Sequence, residues 1–273
     1  MDKFAPVSVV IPCFRCASTI KNAVASVFAQ SLIPAELILV DDCSDDATPV
    51  VLRELETSYQ GRLKIVYMQI NSGAGSARNA GWAVASQPYI AFLDADDTWH
   101  PEKLRIQHQY MHDNPDVTLC AHKCKQPHGK KVVHIPFGIM STILVSPNSL
   151  LFKNAFSTPA VMLKRDIPFR FQEGKRFAED LLMWQTIAFS GLVVIRLEIY
   201  LASLHKSPYG VGGLSANLWQ MERGELNNFV VLHREEHIGL FIYSIAALFS
   251  LTKFVKRILV TIFYKLAILT IKV

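Results

Sequence analysis

The stretch that decides the fold is Tyr89-Ile90-Ala91-Phe92-Leu93-Asp94-Ala95-Asp96-Asp97, in which an apolar run ends in three carboxylates within four positions. Aromatic and branched residues at this density predict a strand buried in a sheet. Carboxylates this close together repel one another, and they are costly beside a core unless a cation neutralises them. Mg²⁺ and Mn²⁺ prefer oxygen ligands, and Mg²⁺ commonly binds through one or two carboxylates together with phosphates. The stretch therefore predicts a buried strand that ends at a site for a divalent cation and a phosphate group.

Strand-like and helix-like segments alternate around this stretch. Residues 7–11, 36–40 and 63–67 are short, branched and apolar, which predicts strands buried on both faces, with Pro12 ending the first. Helical spacing of apolar residues predicts helices over 18–30, 48–59, 76–86, 103–112 and 178–190. This order predicts an α/β fold with a parallel sheet and right-handed crossovers. A hairpin over 117–124 and 131–135 and a strand over 193–200 are also expected.

The composition limits the class of protein. The chain has 273 residues, a hydrophobic fraction of 51% and a net charge of +5, enough for one large domain with an appendage. The modest positive charge fits an anionic ligand or a membrane surface and does not indicate a nucleic acid partner. Five cysteines and no apolar leader predict a reducing compartment. We expect residues 1–218 to form the main domain and 219–273 a helical region.

Polar motifs follow several of the predicted strands. They are Pro12, Asp41-Asp42, the segment 73–78 and the segment 94–97. Because ligands of such sheets lie at the carboxyl ends of the strands, we expect these motifs to meet at one edge. Glycines in the segment 73–78 allow a close backbone approach to phosphate, although their spacing is neither a Walker A nor a dinucleotide fingerprint.

Six motifs follow one another along the chain. They are Val9-Val10-Ile11-Pro12, Val40-Asp41-Asp42-Cys43-Ser44, Asn71-x-Gly73-x-Gly75-x-Ala77-Arg78-Asn79-x-Gly81, Leu93-Asp94-Ala95-Asp96-Asp97, Pro101-x-x-Leu104 and Ala178-Glu179-Asp180. In this order they resemble the family 2 inverting glycosyltransferases of bacterial cell-surface polysaccharide synthesis, over roughly residues 7–215. The resemblance implies a GT-A fold, with a Rossmann-like, mostly parallel sheet flanked by helices, a helical C-terminal tail and a nucleotide-sugar donor.

The resemblance implies roles for the residues of the donor site. Asp42 would accept the N3–H of uracil, with Asp41 supporting the turn and Pro12 placing backbone near the base. Alternatively, the two carboxylates cap a helix. Gly73 belongs to a loop that would hold phosphate. Arg78 would lie against the nucleotide, or it is an ordinary surface arginine.

The family's DxD motif corresponds to Asp94 and Asp96. Asp96 would bind a divalent cation, Mn²⁺ or Mg²⁺, that neutralises the leaving diphosphate, and Asp94 would contact the ribose or a metal-bound water. Asp97 would cap the following turn. A His near the position of His205 often lies close to the diphosphate or metal in this family. The alternative is a solvated acidic loop.

Asp180 matches the general base of the family, with Glu179 as its substitute or its orienting neighbour. An inverting transfer needs one carboxylate to take the proton of the acceptor hydroxyl. Both acids would also favour the dipole at the first turn of a helix, which is compatible with a catalytic role.

Two groups of cysteine and histidine residues have spacings that suggest metal binding or redox chemistry. Cys13-x-x-Cys16 has the spacing of a redox or metal pair. Cys120, His122, Cys124 and His128 are residue types that bind structural zinc, and the first three alternate along one predicted strand.

The C-terminal region is apolar and basic. Residues 238–252 carry no charge but are fewer than the ~20 that a spanning helix needs. Residues 253–273 contain five Lys or Arg and no acid, and a helical wheel places these cations broadly on one side. This predicts an interfacial helix on anionic lipid, which would be peripheral on the cytoplasmic side of the inner membrane. The alternatives are a helical pair packed on the main domain and one long tilted span.

Together with the residue patterns, the resemblance implies a metal-dependent inverting transferase. It would move a sugar from a nucleotide-sugar, with UDP as the expected nucleotide, to a lipid-linked or cell-surface glycan. A nucleotidyltransferase and a non-catalytic membrane-associated scaffold of the same fold remain the alternatives.

Overall fold

A computed structural model describes residues 4–125, 141–205 and 217–271, with side chains described up to residue 261. Its first half alternates strands and helices, as the sequence predicts. Hydrophobic spacing and β-branched runs place each element within a few residues of its predicted bounds. The elements are β1 (Phe4–Cys13), α1 (Ile20–Phe28), β2 (Ile33–Asp41), α2 (Thr48–Ser58), β3 (Leu63–Tyr67), α3 (Ala74–Val84) and β4 (Tyr89–Phe92).

The second half is less regular. The predicted helices over 103–112 and 178–190 are confirmed, and the predicted strand over 193–200 is extended at its end. The predicted strand over 131–135 lies outside the described residues. The elements are β5 (Thr98–Trp99), α4 (Lys103–Asp113), β6 (Val117–Lys125), β7 (Thr142–Leu144), α5 (Ser149–Phe152), a 3₁₀ turn (Thr158–Ala160), β8 (Met162–Lys164), α6 (Glu179–Phe189) and β9 (Val193–Ser203).

One mixed sheet joins these strands in the order β3-β2-β1-β4-β8-β6-β9-β5, with β7 also paired to β9. Strands β3, β2, β1 and β4 run parallel, which confirms the prediction for the first half. β8 runs antiparallel to both β4 and β6, and β5 and β7 run antiparallel to β9. In the second half, β6 and β9 also run parallel. The expectation of a mostly parallel sheet is therefore confirmed, with β5, β7 and β8 as the antiparallel strands. These three antiparallel strands are short, with two or three residues each.

Pro12 does not end β1, contrary to the prediction. The strand continues to Cys13, with Pro12 paired in register with Val40 and Cys13 with Asp41. The apolar side chains of β1 alternate between the two faces of the sheet, so that Val9 packs in one core cluster and Val10 in the other. Helices cover both clusters, as the two-sided burial of the strands predicts.

The C-terminal region forms two further helices, α7 (Leu218–Arg234) and α8 (Leu240–Ile271). They pack on α5 and on each other through an apolar cluster that includes Leu151, Phe229 and Ala246. Among the described residues, no helix is both long enough and apolar enough to cross a membrane.

Two cations of α8 face the protein. Lys253 Nζ lies 2.6 Å from one carboxylate oxygen of Glu225 on α7, and an Arg257 nitrogen lies 3.3 Å from the other. The prediction that these two cations contact lipid is therefore wrong. A helical wheel could not show it, because the partner acid lies on another helix. The exposed face of α8 is instead largely apolar and includes Phe241, Leu248, Val255 and Leu259.

Candidate active site

Asp42 holds the glycine loop. This carboxylate is 3% exposed, and it accepts the backbone N–H groups of Ser72 (2.7 Å) and Gly73 (2.8 Å). Gly73 has a positive φ of 89° and precedes the first turn of α3. Asp41 accepts the N–H of Ser44 at 3.2 Å in the turn after β2. Asp42 therefore fixes the loop before α3, and the N–H groups of Ser72 and Gly73 bind this carboxylate.

Arg78 lies between two acids. It is 3% exposed, and its guanidinium donates to Asp94 Oδ1 (2.7 Å) and to Glu179 Oε1 (3.0 Å). Burial disfavours the charge, but the two carboxylates more than offset this and raise the pKa of Arg78 above its usual value. It is thus not an ordinary surface arginine. It is the link between the end of β4 and the start of α6.

The acidic loop after β4 is tied to the end of β9. The N–H of Asp97 donates to the Asp94 carbonyl in a tight turn, and Asp97 Oδ1 accepts the N–H of His205 at 3.1 Å. The Nε2 of His205 lies 2.8 Å from Thr98 Oγ1. The structure therefore brings His205 beside the acidic loop, where Asp94 and Asp96 are half-buried.

Glu179 and Asp180 open α6. Ala178, the residue before them, has a left-handed backbone with φ 54°. Glu179 is 8% exposed; its burial, together with the charge of Asp180, raises its pKa although Arg78 opposes the shift. Asp180 is half-buried and accepts a hydrogen bond from Thr158 Oγ1 at 3.1 Å. The two neighbouring acids thus have different partners, Glu179 in the buried arginine bridge and Asp180 beside a hydroxyl.

Sequence reasoning missed two residues around this pair. Thr158 comes from the 3₁₀ turn before β8, and Asn228 from α7, where its Nδ2 donates to the carbonyl of Ala178 at 3.0 Å. Asn228 is fully buried. The only sequence signal for Asn228 was its position as a polar residue among apolar ones in the predicted helical region. No sequence signal pointed to Thr158.

The donor set fits a hard divalent cation. Asp94 and Asp96 supply half-buried carboxylates on a short loop, with the His205 ring nearby. Over the described ranges, no group of three or more His, Cys, Asp or Glu could hold a metal by itself. Mg²⁺ and Mn²⁺ sites that take further ligands from a diphosphate need only one or two carboxylates.

The zinc-like residues occupy a different setting. Cys120 and His122 are fully buried, and burial lowers the pKa of His122 to about 3. They form no metal cluster with Cys124 in the described part of the chain, and His128 lies outside it. Cys13 and Cys16 are free buried thiols at the end of β1.

A cleft of about 820 Å³ lies along another face of α3. It is lined by Ser76 and Asn79 of α3 and by the loop that carries Phe171 and Arg176. Arg78 points away from it into the acid bridge, so the cleft borders the glycine loop but is not lined by Asp94, Asp96 or Glu179.

Comparison with known proteins gives the family of this chain. The family model described as glycosyl transferase family 2 matches residues 8–172. TuaG of Bacillus subtilis, named for teichuronic acid biosynthesis, is 30% identical over 220 residues, which cover 78% of this chain and 83% of that protein. WfgD of Escherichia coli, named as a UDP-Glc:alpha-D-GlcNAc-diphosphoundecaprenol beta-1,3-glucosyltransferase, is 36% identical over 42% of this chain and 44% of its own.

Solved structures show the same fold. TarS of S. aureus (residues 1–349, with UDP-GlcNAc) aligns with a TM-score of 0.63 and 20% identity over 83% of this chain and 66% of that one. The mannosyltransferase PcManGT of Pyrobaculum calidifontis, with GDP-Man and Mn²⁺, aligns with a TM-score of 0.66 and 17% identity over 90% and 70%. With a family match over more than half its length and the fold of GT-A enzymes, this chain belongs to glycosyl transferase family 2.

Proposed function

We propose that the protein is a metal-dependent, inverting glycosyltransferase that moves a sugar from a UDP-sugar to a lipid-linked or cell-surface glycan. The names of its relatives support the class of acceptor: one is named for teichuronic acid biosynthesis and another for transfer to a diphosphoundecaprenol-linked sugar. The TarS complexes with UDP and UDP-GlcNAc support the choice of nucleotide.

One observation carries the proposal. Arg78 joins the acidic loop after β4 to the acidic pair that opens α6, through bonds of 2.7 Å to Asp94 and 3.0 Å to Glu179. A carboxylate loop suited to a leaving diphosphate therefore lies next to a second pair of acids suited to proton transfer. Transfer of a sugar to a hydroxyl needs both functions within one site.

Asp180 is the proposed general base. The oxygen of the acceptor hydroxyl attacks the anomeric carbon while Asp180 takes its proton. The bond between that carbon and the diphosphate oxygen breaks on the opposite face, and its electron pair stays with the diphosphate. Attack opposite the leaving group inverts the anomeric configuration, and Asp180 is the only protein acid or base that this step needs.

Asp96, with Asp94 beside it, is the proposed holder of the cation, and His205 is a further candidate from the end of β9. When bound, the cation supplies positive charge that stabilises the departing diphosphate. Asp42 is the proposed contact for the uracil base, with Asp41, Pro12 and Gly73 shaping the same end of the sheet. Asp42 would then serve both the base and the loop N–H groups, because each carboxylate oxygen can accept two hydrogen bonds.

A donor screen tests the proposal. Purified protein is incubated with UDP-, GDP- and TDP-sugars in Mn²⁺ or Mg²⁺, and release of the nucleoside diphosphate is measured with and without polyprenyl-diphosphate-linked acceptors. We expect turnover of a UDP-sugar that needs both cation and acceptor. Release of pyrophosphate from a nucleoside triphosphate would instead indicate a nucleotidyltransferase. If the protein neither binds nor turns over any nucleotide-sugar, the result would indicate a non-catalytic scaffold.

The same proposal assigns residues 1–218 to the catalytic domain and 219–273 to a helical region that rests on the membrane. The outer face of α8 exposes Phe241 (76%), Leu248 (66%), Val255 (55%) and Leu259 (50%). Residues 239–273 contain no acid and five Lys or Arg, of which Lys253 and Arg257 pair with Glu225. The remaining cations and the apolar face suit the surface of an anionic bilayer. The expected location is peripheral, on the cytoplasmic side of the inner membrane.

A further inference from the structure

We infer that Thr158 is a positioning residue for Asp180, and that the 3₁₀ turn carrying it sets the base at a fixed place relative to the acidic loop. The inference rests on the proposed function of Asp180 as the base. It concerns a residue that has no sequence motif and lies outside α6.

Both oxygens of Asp180 are engaged on the protein side. Oδ2 accepts the Thr158 hydroxyl at 3.1 Å, and Oδ1 lies 2.7 Å from the N–H of Leu181. Two anchored oxygens define the plane of a carboxylate, whereas one would allow it to rotate. Each oxygen keeps a second acceptor position, so the carboxylate can still receive the proton of an acceptor hydroxyl.

Thr158 is suited to this role by its burial and shape. It is 3% exposed, and a buried hydroxyl that loses its partner costs about 1–3 kcal/mol. Its β-branched side chain has few rotamers, so the direction of the hydroxyl is largely set by the backbone. Pro159 follows it and restricts the backbone of the turn.

The turn is itself anchored to the acidic-loop side of the site. Trp99 Nε1 donates to the Pro159 carbonyl at 2.8 Å, and Gln107 Nε2 donates to the Ala160 carbonyl at 3.0 Å. Trp99 is 5% exposed and Gln107 is fully buried. Trp99 lies on β5, directly after the acidic loop. A short path therefore runs from the acidic loop through the buried bond between Trp99 and Pro159, the peptide that joins Pro159 to Thr158, and the half-buried bond from Thr158 to Asp180.

This path gives the fold a way to hold the two halves of the reaction at a constant separation. The acidic loop belongs to β4 and β5, and Asp180 belongs to α6, far along the chain. Displacing a reacting group by about 1 Å can cost roughly 100-fold in rate, so a rigid spacer between the loop and the base is chemically useful.

The test compares Thr158→Val, which keeps the shape and removes the hydroxyl, with Thr158→Ser, which keeps the hydroxyl. We expect Thr158→Val to lower kcat roughly 10- to 100-fold, while the KM for donor and the calorimetric Kd for UDP with Mn²⁺ change less than about 2-fold. Thr158→Ser should stay within about 3-fold of the wild-type kcat. Thr57→Val is the matched control, because its hydroxyl bonds only within the exposed helix α2.

The outcomes separate the two proposals. A wild-type protein without turnover of any nucleotide-sugar overturns the proposed function. If the wild type is active, full kcat in Thr158→Val overturns the positioning role. The role is also overturned if Thr158→Val loses kcat and UDP affinity equally, or if Thr158→Ser is as slow as Thr158→Val. Thermal unfolding and UDP binding report whether each variant is folded. If Thr158→Val does not fold, Thr158→Ala takes its place with the same expectations.

Discussion

A nitrogen of Arg78 lies 3.0 Å from Oε1 of Glu179, a residue 101 positions later in the chain. The same guanidinium also reaches Asp94, so a single buried cation connects α3, the end of β4 and the start of α6. Each carboxylate keeps the arginine charged, and the arginine compensates two acids that would otherwise be costly to hold at the edge of the core. The arrangement of the site depends on this bridge.

Replacing Arg78 should therefore destabilise the fold as well as the site. Arg78→Met leaves Glu179 without its cation, and breaking a buried pair typically costs about 3–5 kcal/mol. The double variant with Glu179→Gln should recover part of that loss, because the buried Glu179 charge is removed and only the half-buried Asp94 is left without its arginine. Urea unfolding of the single and double variants measures the coupling. If the losses of unfolding free energy in the two single variants add up to that of the double variant, the two side chains do not interact.

The two acidic clusters should separate in binding and turnover assays. Asp96→Asn is expected to weaken Mn²⁺-dependent UDP binding by about 10-fold or more, because it removes a charged ligand. Asp180→Asn should keep that binding and lose about 100-fold or more in kcat, since a general base contributes that much. Calorimetry with UDP and Mn²⁺, and transfer kinetics, test both variants. An Asp180→Asn protein with full activity contradicts the assignment of the base.

Glu36 should make stability dependent on acid pH. Burial of this carboxylate disfavours its charge, but hydrogen bonds from Ser8, Ser86 and Lys64 outweigh burial and lower its pKa from 4.5 to about 2. Its contribution is fully present above pH 4.5 and is lost as the pH falls towards 2, in total on the order of 3 kcal/mol. Glu36→Gln should flatten this part of the curve of unfolding free energy against pH. An unchanged slope between pH 5 and 2 would refute the assignment.

Gly224 is expected to link α7 to the loop before Asp180. A methyl group at this position would lie 2.6 Å from the backbone oxygen of Phe177, too close to be accommodated without a shift. Gly224→Ala should therefore destabilise the protein by about 1–3 kcal/mol and lower kcat by moving Ala178. Gly239→Ala, where the added methyl meets nothing within 4 Å, is the matched control. Thermal unfolding and transfer rates compare the two variants, and identical behaviour would count against the link.

The outer face of α8 should bind anionic vesicles. We expect the full chain to co-sediment with vesicles containing phosphatidylglycerol and much less with pure phosphatidylcholine, with binding that weakens as salt rises. Phe241→Ser with Leu248→Ser should reduce binding without changing soluble donor turnover. Glu225→Gln is the control for the packing of α7 on α8, because it changes the contact with the inner face of α8 and leaves the outer face intact. Dimerisation without vesicle binding, lost in the double serine variant, would instead assign the face to a second copy.

The sequence by itself determined the parallel half of the sheet and the edge at which the polar motifs meet. The spacing of apolar residues and the apolar content of a segment are local properties of the sequence. They are therefore enough to predict β1 to β4 and the helices between them. The six motifs in order also placed the chain in its family. The same local patterns could not show that Asp42 binds the loop before α3, because that contact spans 30 residues or more.

The tertiary structure decided the partners of the charged groups. It joined Arg78 to Asp94 and Glu179, turned Lys253 and Arg257 inwards to Glu225, and brought Thr158 to Asp180. It also inserted β8 antiparallel beside β4. Pairing energies depend on distance and burial, which residue type and spacing along the chain do not specify. The sequence therefore determined which chemical groups are present at the site, and only the packing of distant segments decided which of them act together.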